Sequence, residues 1–137
     1  MSEEFDRRRI LVVDDEHDLL EVMSMRLGAA GFDPVVARNA KEAVDAAHKL
    51  HPDLILMDIQ MPGGETGTDA ALTIKQDPAT KDIKIVFLSN LKDPWPSTSG
   101  DRDALTKELG ILDYIDKTAD AAVIMEKVKA ALAEKQK

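Results

Sequence analysis

Residues 10–20 read ILVVDDEHDLL: four aliphatic side chains in a row, a block of acid, then the leucines that open a helical pattern. So short and continuous an aliphatic run fits a strand buried on both faces. The stretch after it puts Leu19, Leu20, Met23 and Leu27 on one helical face, with Gly31 placed to end the helix. Asp14 and Asp15 therefore stand side by side where a strand gives way to a helix. Their mutual repulsion has to be offset by a helix cap, a cation or solvent.

The same alternation recurs along the chain. Apolar runs end at Asp14 (RILVVD), Arg38 (DPVVAR), Asp58 (DLILMD), Ser89 (IKIVFLS) and Asp116 (ILDYID). The first, third and fourth are nearly continuous in Ile, Leu and Val, as in strands covered on both sides. Between and after them lie helical patterns. NAKEAVDAAHKL opens with Asn39 three residues before Glu42, a capping-box spacing. Residues 68–76 follow, with Pro78 beyond their end, and then DRDALTKELG, stopped by Gly110. The last carries an apolar stripe of Ala121, Ile124, Met125, Val128 and Leu132. Five such alternations predict a doubly wound α/β domain with a parallel sheet and helices on both faces.

The 137 residues, 44% of them hydrophobic, suffice for one compact domain and are too few for two. A single domain over residues 1–137 is expected, with its core from about residue 9 to residue 133 and short charged tails. Twenty-six acids against eighteen bases give a formal charge of −8, which opposes attraction to nucleic acid or an anionic membrane. A cation or a locally basic protein is the expected partner. The absence of cysteine excludes disulfides, thiolate chemistry and zinc–thiolate sites. No apolar run reaches membrane-spanning length, and MSEEFDRRR lacks the apolar core of a signal peptide, so a soluble, cytoplasmic protein without membrane insertion is expected.

In doubly wound folds, ligands sit outside the carboxyl ends of the strands. Those ends carry Asp14 and Asp15, Asp58, Ser89 and, after the fifth run, Lys117. Three acids without imidazole or thiolate suit a hard cation, and Mg2+ fits best, since it binds through one or two carboxylates and keeps several waters. A metal with exchangeable positions beside a carboxylate can bridge an incoming phosphoryl group. Ser89 can donate to one phosphoryl oxygen and Lys117 can pair with another. Asp58 is the natural nucleophile, because carboxylates form aspartyl phosphates.

The segments ILVVDDEHDLL, DLILMDIQMPGGETG, IKIVFLSN and GILDYIDKTADAAVIMEKVKAAL resemble the receiver domain of two-component response regulators, in register from about Ile10 to Leu132. The resemblance implies a flavodoxin-like fold, a five-stranded parallel sheet in the order 2-1-3-4-5 with five helices. It implies that Asp58 accepts phosphate from a histidine kinase or phosphotransfer protein. It further implies that Asp15, Asp58 and the backbone carbonyl of Gln60 bind Mg2+ directly, with Asp14 helping through water. Ser89 is then the switch hydroxyl, Lys117 contacts the phosphoryl group, and Tyr114 is the aromatic whose rotamer follows Ser89. Met61, Pro62 and Gly67 match the loop after the phosphorylated strand. Such a protein is a signalling phosphoacceptor and not an enzyme: it catalyses only its own phosphotransfer and slow autodephosphorylation. With no DNA-binding or enzymatic segment in the sequence, a stand-alone receiver acting through a downstream protein target is expected.

The chain departs from the family pattern in four places. Thr118 follows the lysine where the family has proline with a cis bond, and a non-proline cis bond costs about 2.5–4 kcal/mol. One residue more than usual separates Asp58 from Gly67. Asn90 stands where the family favours a small residue, and the resemblance implies that it and Gln60 lie beside the path by which water would attack the phosphate and so set how long the phosphate lasts. NLKDPWPSTSGDRD is longer than the usual connection and carries the only tryptophan, Trp95. These departures support an alternative, a degenerate receiver acting as a phosphorylation-independent binding module. Two rivals fit less well. A nucleotide-binding domain would place a Gly-, Ser- or Thr-rich phosphate cradle after the first strand, and a dehalogenase-like phosphatase needs a second acid at the position of Gln60. His17, His48 and His51 receive no role, and Met23, Met25, Met57 and Met125 are read as core filler.

Overall fold

The computed structural model describes residues 8–59, 66–89, 111–117 and 119–133. In chain order these form β1 (Arg9–Val13), α1 (His17–Ala29), β2 (Asp33–Ala37), α2 (Ala40–Leu50), β3 (Leu54–Asp58), α3 (Gly67–Gln76), β4 (Lys84–Ser89), β5 (Asp113–Asp116) and α4 (Ala121–Ala133). The helix expected in DRDALTKELG lies outside the described residues, as does the Trp95 loop.

Every strand pairing is parallel, and the order is β2-β1-β3-β4-β5, as expected. The pleat sends alternate side chains to opposite faces. Leu11, Val13, Ile55, Met57, Ile85 and Phe87 face α2 and α3, where the small residues Ala43, Ala47 and Ala71 let the helices approach closely. Ile10, Val12, Leu54, Leu56, Val86 and Leu88 face α1 and α4 and pack against Leu20, Met23, Leu27, Val128 and Leu132. Burial on both faces explains why the sequence of β1 and β3 is continuously aliphatic. The edge strand β2 is partly exposed, and its sequence is less apolar.

Details of the helices refine the sequence reading. Gly31 follows α1 with φ of 97°, a conformation that suits a residue without Cβ. Asn39 caps α2 by accepting from the Glu42 N–H, but the Glu42 carboxylate accepts from the N–H of Arg38 and not from that of the cap residue. A reciprocal capping box occurs instead at Thr66 and Asp69, at the start of α3. Met23 and Met57 are core residues, and Met125 is half-buried. Met25 is 67% exposed: two residues after Met23 on a helix, it falls on the opposite side. Among the described residues no helix is long and apolar enough to cross a membrane.

Candidate phosphoacceptor and metal site

The parallel arrangement gathers the carboxyl ends of the strands at one edge of the sheet, where Asp14, Asp15, Asp58 and Lys117 meet. Asp14 directly follows β1, and its N–H donates to the carbonyl of Ala37 at the end of β2. Its two carboxylate oxygens divide the work. Oδ1 accepts from the N–H of Glu16 at 2.9 Å and so secures the start of α1, whose N-cap residue, Glu16, makes no side-chain cap. Oδ2 is shut off from solvent and lies 3.0 Å from Lys117 Nζ. Asp14 thus serves as helix tether and charge-cluster member at once. Asp15 turns outward and is exposed.

Asp58 ends β3 and is 3% exposed. Its Oδ2, also closed to solvent, lies 3.2 Å from the same Lys117 ammonium. One carboxylate oxygen from each of Asp14, Asp15 and Asp58 lies within 4.8 Å of the others. Burial raises the pKa of Asp14 above the usual carboxylate value, although the Glu16 N–H and Lys117 oppose the rise. Burial also works against the Lys117 ammonium, but Asp14 and Asp58 outweigh it and hold its pKa above that of a free lysine.

The donor set fits a hard divalent cation. It consists of carboxylate oxygens, two of the groups are buried and one opens to solvent, and the Lys117 ammonium pairs with the two buried ones. A divalent cation would balance the excess negative charge.

The remaining expected residues fall differently. Ser89 closes β4 beside Asp116 in the register, one residue beyond the Leu88 that pairs with Asp58; its side chain, Gln60, Asn90 and Thr118 lie outside the described residues. Tyr114 is half-buried on the α2–α3 side of the sheet, its ring centroid 5.7 Å from that of Phe87. His17 is exposed. His48 and His51, for which no role was expected, both reach the turn after α3: His48 pairs with Asp77, and His51 Nε2 donates to the Ala79 carbonyl at 2.9 Å. Two features escaped sequence reasoning. The Thr66–Asp69 spacing was a visible capping signal. The other is the contact of Gly67 with the Asp58 peptide, which depends on the path of the chain between them.

Comparison with known proteins agrees with this geometry. The family model described as response regulator receiver domain matches residues 10–129. The phosphate regulon transcriptional regulatory protein PhoB of Escherichia coli K12 is 34% identical over 125 residues, covering 91% of this chain and 52% of PhoB. The DNA-binding response regulator MtrA of Mycobacterium leprae is 33% identical over 126 residues, covering 92% and 52%. The chain therefore spans about half the length of these curated relatives. Among solved structures, the N-terminal domain of a response regulator receiver protein from Methanoculleus marisnigri JR1 superposes with a TM-score of 0.70 at 31% identity, covering 93% of this chain and 98% of that one. The Vibrio cholerae chemotaxis protein CheY4 shares the fold, with a TM-score of 0.79 at 22% identity and coverage of 91% and 98%.

Proposed function

Because the chain belongs to the response regulator receiver domain family, we propose that it is a signalling switch that takes a phosphoryl group from a phosphohistidine donor onto Asp58. The observation that carries this reading is the placement of Asp58: buried at the end of β3, 3.2 Å from the Lys117 ammonium and grouped with Asp14 and Asp15.

An oxygen of the Asp58 carboxylate attacks the phosphorus, the N–P bond of the donor breaks, and an aspartyl phosphate forms. Lys117, already held between two carboxylates, pairs with a phosphoryl oxygen, and Ser89 donates to another. Mg2+ would be held by Asp15, Asp58 and the Gln60 carbonyl, with Asp14 acting through water. When bound, it neutralises charge on the phosphoryl oxygens. Asn90 and Gln60 modulate how long the phosphate lasts, and Tyr114 follows the state of Ser89. The donor is a histidine kinase or phosphotransfer protein, the output is contact with a downstream protein, and the setting is the cytoplasm.

Intact-mass measurement after incubation with acetyl phosphate and Mg2+ tests this. The mass should rise by one phosphoryl group, and Asp58→Asn should abolish the gain. An unchanged wild-type mass across donors would favour a phosphorylation-independent binding module.

A further inference from the structure

We propose that Gly67 is a positioning residue for Asp58: lacking a side chain, it lets the first turn of α3 press on the Asp58–Ile59 peptide and thereby fixes the aim of the carboxylate. This inference rests on the reading of Asp58 as phosphoacceptor.

A Cβ at position 67 would lie 1.9 Å from the carbonyl oxygen of Asp58, 2.8 Å from its carbonyl carbon and 3.0 Å from the Cα of Ile59. All three are backbone atoms, which cannot swing aside as the end of a flexible side chain can. The Gly67 N–H donates to the Ile59 carbonyl at 2.7 Å, and the Ile59 N–H donates to the Leu88 carbonyl at 3.1 Å. The backbone beyond Asp58 is therefore held by β4 through one hydrogen bond and by the start of α3 through another. The start of α3 is itself fixed by the reciprocal Thr66–Asp69 hydrogen bonds. By contrast, a Cβ at Gly28 would meet nothing within 4 Å.

A reacting group displaced by about 1 Å costs on the order of 100-fold in rate. Any side chain at 67 must push either Asp58 or α3 out of place. Gly67→Ala is therefore expected to weaken Mg2+ binding and slow phosphorylation by acetyl phosphate, each by about tenfold or more, in protein shown by circular dichroism to be folded. Gly28→Ala should change neither. A Gly67→Ala protein with a lowered melting temperature but wild-type Mg2+ affinity and phosphorylation rate would make Gly67 merely structural and overturn the proposal. If the wild type takes no phosphoryl group, the phosphoacceptor reading falls, and a crystal structure of Gly67→Ala decides the positioning role alone: a displaced Asp58 supports it, whereas a displaced α3 beside an unmoved Asp58 overturns it. Should Gly67→Ala not fold, amide resonances of the wild type decide. The Gly67 resonance should follow an Mg2+ titration with the midpoint of Asp58, and a silent Gly67 overturns the proposal.

Discussion

Lys117 and Asp14 meet across the sheet from the ends of β5 and β1, with Nζ 3.0 Å from Oδ2 and the aspartate side chain fully buried. Because the same ammonium also faces Asp58, its removal leaves two buried carboxylates without their shared cation. Lys117→Ala should destabilise the fold by about 3 kcal/mol, in the range for a buried pair that loses one partner. Mg2+ should restore part of that loss, since it balances the same charges. Urea denaturation with and without Mg2+ checks this, and the increment from Mg2+ should be larger in Lys117→Ala than in the wild type.

Mg2+ should also stabilise the wild type, because the three carboxylates converge only in the folded chain. A ligand bound to the native state alone at 100 times its Kd adds about 2.7 kcal/mol. Thermal melts should rise with Mg2+ and rise less in Asp15→Asn. Equal shifts in the two proteins would place the metal elsewhere.

The His48–Asp77 pair gives the stability a defined pH dependence. Both ring nitrogens of His48 face acceptors, Asp77 Oδ2 and the Val44 carbonyl, and only the protonated ring donates to both. Asp77 foremost, then Val44 and Asp45, raise His48 above its ordinary 6.5, while the Ala79 N–H and then His48 hold Asp77 below its ordinary 3.8. A raised histidine contributes stability that is full below 6.5 and is lost as pH rises through the folded value. A lowered aspartate contributes stability that is present above 3.8 and is lost as pH falls through its folded value. Asp77→Asn should therefore cost most between those two ordinary values, and little in alkaline solution or in high salt, because the pair is solvent-exposed. Denaturation midpoints across pH test this, and the NMR titration of His48 should fall toward 6.5 in Asp77→Asn.

The cap of α3 should be worth a typical amount. Thr66→Ala removes the acceptor for the Asp69 N–H and should lower stability by about 1 kcal/mol. Chemical denaturation of Thr66→Ala beside Asn39→Ala, at the corresponding position of α2, compares the two caps directly. A negligible loss at Thr66 would mean that packing alone holds the start of α3.

The sheet was legible because two-sided burial writes itself into β1 and β3 as unbroken aliphatic runs. The acid cluster was legible because a parallel sheet brings its carboxyl ends to one edge, so Asp14, Asp58 and Lys117 could be joined from strand endings alone. What stayed hidden depends on distances set by connections. Nothing in the spacing of Asp58 and Gly67 reveals that the chain returns to the same peptide. The partners of His48 and His51 come from the turn after α3, which periodicity does not place. Met25 faces solvent because its angular position on α1, and not its residue type, decides its burial.

The pleat of β3 makes Asp58 the last count of a two-step ruler: Leu54 and Leu56 belong to the side of α1 and α4, and Asp58 is the next position of that parity. Insertion of one residue between Leu54 and Asp58 would turn the carboxylate toward α2 and α3, away from Asp14 and Lys117, with every member of the site still present in the chain. The site is thus written in a frame as well as in an alphabet. A receiver with its aspartates and lysine intact but with β3 out of phase would be silent for a reason that no inventory of its residues reveals.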